Sequence, residues 1–301
     1  MSMCSASSSS SGMLRYLLAA VCCLAMPLSW AAGEKLPIWT VHSDSAEVVL
    51  LGSVHMAYAE IYPLREEIEA AFAAADALVV EVDISGANAL EIQQLMLEKG
   101  VLPEGESLQQ TISGQTWEDL QSYLRSRGLP VEMFARLRPG LVITTLSSMR
   151  LAELGLRPEM GIDQHFLDLA LGNKPVLELE SAAQQIELLL DFPDQDLLMA
   201  QTLVQLHDID RYLRPIYAAW RAGDAAQLNR LLLTDERQRH PEFQPLYEKL
   251  FDQRNRAMTS KIEGFLAGSG RYFVVVGAGH LVGEEGIISL LERRGFSAQQ
   301  W

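Results

Sequence analysis

The sequence predicts an α/β fold with a mixed β-sheet core built from both chain ends and a largely helical middle section. Three observations predict it. Runs rich in aliphatic, β-branched and aromatic residues lie towards both ends, at Val48-Val49-Leu50-Leu51, Ala77-Leu78-Val79-Val80 and Tyr272-Phe273-Val274-Val275-Val276, and such runs suit strands buried on both faces. The first and the last each stop at a glycine, Gly52 and Gly277. Through much of the chain between them, apolar residues instead recur at the three- and four-residue spacing of helices.

Residues 1–31 form a segment of their own. A Ser-rich stretch and Arg15 precede an apolar run from Leu17 to Leu28, with small residues at Ser29 and Ala31. This is the pattern of a secretory signal peptide cleaved after Ala31. The run is too short to favour a membrane span, so the expectation is a periplasmic or secreted protein with no stable membrane insertion after cleavage. Cys4, Cys22 and Cys23 all fall in this segment, which leaves residues 32–301 without disulfide or thiolate chemistry. Those residues are read as a single domain, long enough for a sizeable core. A net charge of −15 disfavours nucleic acid and anionic membranes as partners.

The elements follow in order. Pro37–Val41 and Glu47–Leu51 read as strands of a hairpin across His42-Ser43-Asp44-Ser45. Leu64, Ile68, Ala71, Phe72 and Ala75 predict a helix over 64–75, with Pro63 at its entrance. A strand over 77–83 completes a strand–helix–strand unit. Thr116 and Asp119 resemble a helix start, with Leu120, Tyr123 and Leu124 as its stripe. Helices are predicted over 139–154, 161–171, 181–191 and 195–222, the last kinked or divided at Pro215. A strand is predicted over 175–179, a long helix over 243–266, a strand over 271–276 and a final helix over 286–294.

Two tetrads carry the chemistry: Gly52-Ser53-Val54-His55 and Gly277-Ala278-Gly279-His280. From 6 His and 21 Gly, about 0.4 Gly-x-x-His matches arise by chance, so two matches, each closing a strand, are informative. Ligands of open α/β sheets bind beyond the carboxyl ends of the strands, so both imidazoles are placed to face that crevice. Glu81 interrupts the third apolar run, where a carboxylate is costly unless paired or metal-bound. Two imidazoles and a carboxylate suit a divalent ion with one position left for water, whose pKa the ion lowers. On that reading His55 and His280 are ligands, and Glu81 is either the third ligand or the general base. The structural alternative has both histidines bonding turn carbonyls.

Arg254 reads as a stabiliser of an oxyanion or substrate carboxylate, with Asn255 as its polar neighbour, or else as a helix-surface arginine paired with Asp252 or Glu248. Asp163 and His165 read as structural, Asp163 capping a helix, and Glu180 as a helix N-terminal charge. His42, His207 and His240 read as surface residues. No Gly-x-Ser-x-Gly elbow, His-Glu-x-x-His helix, P-loop or Rossmann fingerprint occurs, which argues against the enzyme classes those motifs mark.

One ordered series of motifs goes further. It comprises Leu51-Gly52-Ser53-Val54-His55 with Tyr62-Pro63-Leu64, Val79-Val80-Glu81-Val82-Asp83, Gly161-Ile162-Asp163-Gln164-His165-Phe166, Leu179-Glu180 with Gln184, Arg254-Asn255, and Val276-Gly277-Ala278-Gly279-His280-Leu281 with Gly283. This series resembles the TraB/GumN family, related to the TIKI proteins. The resemblance implies that both Gly-x-x-His motifs and the strand glutamate line one site. Its TIKI members are metal-dependent proteases, and its TraB members are linked to control of peptide pheromones. The expectation is an exported hydrolase using Zn, Mn or Co on a peptide or other small substrate. Its candidate ligands are His55, Glu81 and His280, and its candidate catalytic residues are Glu81, Arg254 and Asn255. The alternative is a non-catalytic metal- or haem-binding protein of the cell envelope.

Overall fold

A computed structural model describes residues 35–192 and 194–301. The predicted signal peptide and its cysteines lie outside them. Six strands form one mixed sheet: β1 (Ile38–His42), β2 (Ala46–Ser53), β3 (Ala77–Val80), β4 (Val176–Glu178), β5 (Gly270–Gly277) and β6 (Ser297–Gln300). Their order is β4-β3-β5-β2-β1-β6. Strands β4, β3, β5 and β2 run parallel, while β1 is antiparallel to both β2 and β6. The core sheet is thus drawn from both chain ends, as expected, and β5 joins the two parts at its centre. The predicted hairpin is β1–β2, with Trp39 opposite Leu50 and the turn held by Ala46 N–H donating to Ser43 Oγ at 3.0 Å.

The helices are α1 (Glu66–Ala74), α2 (Gly86–Gly100), α3 (Leu108–Thr111), α4 (Gly114–Ser126), α5 (Pro139–Glu153), α6 (Ile162–Ala170), α7 (Ala182–Leu190), α8 (Gln195–His207), α9 (Ile209–Arg221), α10 (Ala225–Asn229), α11 (Asp235–Arg239), α12 (Gln244–Tyr247), α13 (Gln253–Ala267), α14 (Ala278–Leu281) and α15 (Ile287–Arg293). Neighbouring strand residues point to opposite faces, and β5 shows which helices cover each. Phe273 meets Phe72 of α1 and Phe166 of α6, whereas Tyr272 stacks on Phe265 of α13. The middle section builds a second core of its own from residues such as Leu108, Leu120, Val142, Met199 and Leu203.

Four local expectations need correction. The predicted 195–222 helix divides at Asp208, whose φ of −129° leaves the helical region; Pro215 sits inside α9. Packing decides this, because α8 buries Met199 and Leu203 in the second core while α9 buries Tyr217 and Trp220 in the main one. The chain has to change direction between them. Helix α4 is capped by Ser113, whose Oγ accepts from Thr116 N at 3.2 Å, so Thr116 lies within the first turn. Helix α1 begins at Glu66 instead of Leu64. The predicted 243–266 helix contains a π turn, Glu248–Asp252, just before Arg254, and such turns recur at functional sites.

Candidate functional site

Beyond the carboxyl ends of three adjacent parallel strands lie the residues singled out above: His55 after β2, His280 after β5 and Glu81 directly after β3. The end of β2 is fixed from both sides. Trp220 Nε1 donates to Gly52 O at 2.9 Å, and Gly161 lets the start of α6 close on the turn. A Cβ on Gly161 would fall 2.5 Å from His55 O, and Ile162 N donates to Val54 O at 3.1 Å.

That docking brings Asp163 to His55. Asp163 Oδ2 lies 2.9 Å from His55 Nδ1, and Asp163 Oδ1 accepts from Ser53 Oγ at 2.8 Å. Asp163 therefore does not cap α6, whose N-cap is Gly161 with no side-chain cap bond. The Asp163 charge first, and its hydrogen bond second, push the His55 pKa up to about 9. His55 is 70% exposed on its side chain while Asp163 is 10% exposed. One ring edge is held and the other, Nε2, faces outward.

His280 is held differently. Its Nδ1 lies 2.6 Å from Asn255 Oδ1, and Asn255 Nδ2 donates to Glu285 O at 2.8 Å. With the amide of Asn255 oriented by that second bond, its oxygen accepts from His280 Nδ1–H, which leaves Nε2 with a lone pair. Burial pushes the His280 pKa down to about 4, so the ring is neutral at pH 7. Asn255, read above as a neighbour of Arg254, serves here as a positioning residue for His280.

Glu81 is buried, 7% exposed, and saturated with donors. Oε1 accepts from Gly277 N at 2.7 Å, and Oε2 accepts from Arg254 Nη2 at 2.6 Å and Gln185 Nε2 at 3.0 Å. Burial raises its pKa, but the charges of His280, His55 and Arg254 and the Gly277 N–H outweigh this and hold it at about 2. Oε1 also faces His280 Nε2 at 3.8 Å. Arg254 bridges Glu81 to Glu180, with Nη2–Oε2 distances of 2.6 Å to each. Its expected partners were Asp252 or Glu248, yet Asp252 instead pairs with Arg237 at 2.6 Å. Arg254 is 17% exposed on its side chain, so it is no surface arginine. Two carboxylates share one guanidinium beside a neutral imidazole, and the cluster keeps one negative charge.

The donor types suit a divalent cation. Histidines that bind metals characteristically donate the other ring nitrogen to an acceptor, as His55 and His280 both do. His280 Nε2 and Glu81 Oε1, 3.8 Å apart, are the groups that would hold such an ion, which would supply Lewis-acid chemistry there. Among the described residues no group of three His, Cys, Asp or Glu stands ready to hold an ion.

Residues 37–300 match the TraB/PrgY/gumN family. The chain belongs to that family. It is similar to the uncharacterised protein YbaP of Escherichia coli (strain K12) and of Shigella flexneri, in each case 33% identical over 80% of this chain and 86% of the relative. No solved structure matches it.

Within this TraB/PrgY/gumN protein, the sequence reading missed the roles of Ser53, Asp163, Glu180 and Gln185. Glu180 is brought beside Glu81 by main-chain bonds that continue past β3 and β4, Leu179 N to Val80 O and Glu180 N to Glu81 O, both 2.9 Å. Gln185, rather than Gln184, touches the site, since Gln184 closes the capping box of Ser181. The available signal was the charge at Asp163 and Glu180, each directly after a buried apolar residue, Ile162 and Leu179. His165 lies apart, 2.9 Å from Glu69, as do exposed His42 and His207.

Proposed function

We propose that this protein is an exported metal-dependent hydrolase acting on peptide bonds, with Zn, Mn or Co as its ion. One observation carries the reading: His55 and His280, at the ends of the neighbouring strands β2 and β5, each engage an acceptor through Nδ1, with no hydrogen bond to Nε2 among the described residues. An ion held by His280, Glu81 and His55 would polarise a carbonyl and activate water. Gly277 N–H and Arg254 hold Glu81 ionised, and Asn255 holds His280 in the tautomer a ligand needs. Arg254 is already shared by two carboxylates, so it serves first to position Glu81. Family membership and the leader-like first 31 residues support the export and peptide parts of this proposal.

The test is metal analysis of purified protein followed by a peptide-cleavage screen with and without chelator. His55→Ala and His280→Ala should lose both metal and cleavage. Glu81→Gln should lose cleavage but keep metal if Glu81 is the base, and lose both if it is a ligand. Bound metal or haem with no turnover of any peptide or ester would replace the hydrolase with the binding-protein reading.

A further inference from the structure

Two cavities adjoin along α7. The first, of about 460 Å³, lies between α7 and the helix carrying Arg254, and its lining includes Glu180, Gln185, Arg254, Lys249 and Asp191. The second, of about 530 Å³, is lined by Glu98, Lys99, Arg138, Glu187 and Asp191 among others. Glu187 and Asp191 line both, so the two meet at this shared rim, a trench in two parts. One end is lined by Glu180 and Arg254, which contact Glu81, and the other by Arg138.

The trench suits an extended polymer. It follows α7, Ala182–Leu190, for roughly 12 Å at the helical rise, the span of about four residues of extended peptide. Its lining has no aromatic residue, so sugar rings find no face to stack on. Side chains of both signs and amides such as Gln185 suit peptide groups, which need donors and acceptors together.

The far end shows an unmet demand. Arg138 Nε is buried without a hydrogen-bond partner among the described residues, a costly state for a charged side chain. Lys99, the other cation there, is already paired with Glu187. Two residues on, the backbones of α5 and α7 cross closely: a Cβ on Gly140 would lie 1.9 Å from Leu189 O. A carboxylate entering from the trench would give the guanidinium a charge-assisted partner. Glu98 and Asp191 on the same wall remain as acceptors for peptide N–H groups.

We infer that the trench binds an extended peptide and that Arg138 receives one of its carboxylates, at the end remote from Arg254 and Glu180. The position of a cut rests on the hydrolase reading, whereas the binding does not. The carboxylate is either the C-terminus or an acidic side chain.

Three fluorescein-labelled heptapeptides decide this by fluorescence polarisation against purified protein. They share a neutral sequence and end in a free carboxylate, an amide, or an amide after a terminal Glu. At least one carboxylate peptide should bind about fivefold or more tighter than the neutral amide, and which one does so names the source. Arg138→Gln should remove the preference at unchanged thermal stability, and Arg138→Lys should restore part of it. Equal binding of all three, no binding of any, a preference that survives Arg138→Gln, or displacement of the peptide by a neutral hexasaccharide would overturn the inference. A carboxylate preference without cleavage removes the hydrolase alone, and cleavage without the preference removes the trench alone.

Discussion

His280 Nδ1 lies 2.6 Å from Asn255 Oδ1, and this contact decides which nitrogen of the ring remains available. The second bond of Asn255, to Glu285 O, prevents its amide from flipping and offering a donor instead. The free Nε2 is thereby directed at Glu81 Oε1. Two acceptors face one another with nothing of the protein between them, an arrangement that attracts a cation or a proton.

Asn255→Ala should therefore weaken divalent-metal binding by about 10–100-fold, as removal of outer partners of ligating histidines does. His280→Ala should abolish it. Calorimetric titration with Zn²⁺ or Mn²⁺ measures both, and a wild-type protein that takes up no divalent ion would end the metal reading.

Metal uptake should tighten as pH rises from about 6.5 to about 9. His55 is protonated at neutral pH because Asp163 holds its pKa near 9, and a ligand has to shed that proton. Titrations at pH 7 in buffers of different ionisation enthalpy should show about one proton released per ion. Asp163→Asn should return the His55 pKa towards the ordinary histidine value, read by NMR, and remove most of that release.

Acid should destabilise the fold in two steps. His280 has a folded pKa of about 4 against the ordinary 6.5 of a histidine in the unfolded chain, so between those values the unfolded chain binds the extra proton and stability falls as pH drops. Glu81, at about 2 against 4.5, loses its contribution next, between those two values, because there too the unfolded state binds more protons. Melting temperatures from pH 7 to pH 3 measure this, and His280→Gln should flatten the upper part of the curve. An unchanged slope in that variant would contradict the assignment.

Arg254→Ala should cost about 3–5 kcal/mol of stability, the usual result of removing one partner from a buried ion pair. Glu81 and Glu180 would then face each other without the guanidinium they share. Urea denaturation tests this, and Glu180→Gln in the same background should recover part of the loss. A loss below about 1 kcal/mol would mark the pair as solvent-screened instead.

The central strands β2, β3 and β5 were legible because they are largely buried and so advertise themselves as apolar runs. Strand β6, Ser-Ala-Gln-Gln, is an exposed edge strand with no such run, and helix α2 leaves Leu90 and Leu97 exposed, so neither showed a pattern. The site was legible wherever a residue followed a strand directly, as His55, Glu81 and His280 do. Asp163, Gln185 and Asn255 were harder, because helix docking places them against residues about 108, 104 and 25 positions away. Local spacing holds no trace of such contacts, and the motif Gly161-Ile162-Asp163 becomes readable only once the closeness of Gly161 to His55 is known.

The central place of β5 has a consequence for how the molecule comes into being. It pairs with β2, some 224 positions earlier in register, and with β3 on its other side, so a chain still lacking its last thirty or so residues has two separate pieces of sheet and no His280. Contacts of such long range are slow to form, since the intervening loop has to be closed first. A nascent chain therefore lacks the assembled His55–Glu81–His280 cluster until its end arrives, and truncation before β5 should dismantle the candidate site as thoroughly as removing His280 itself.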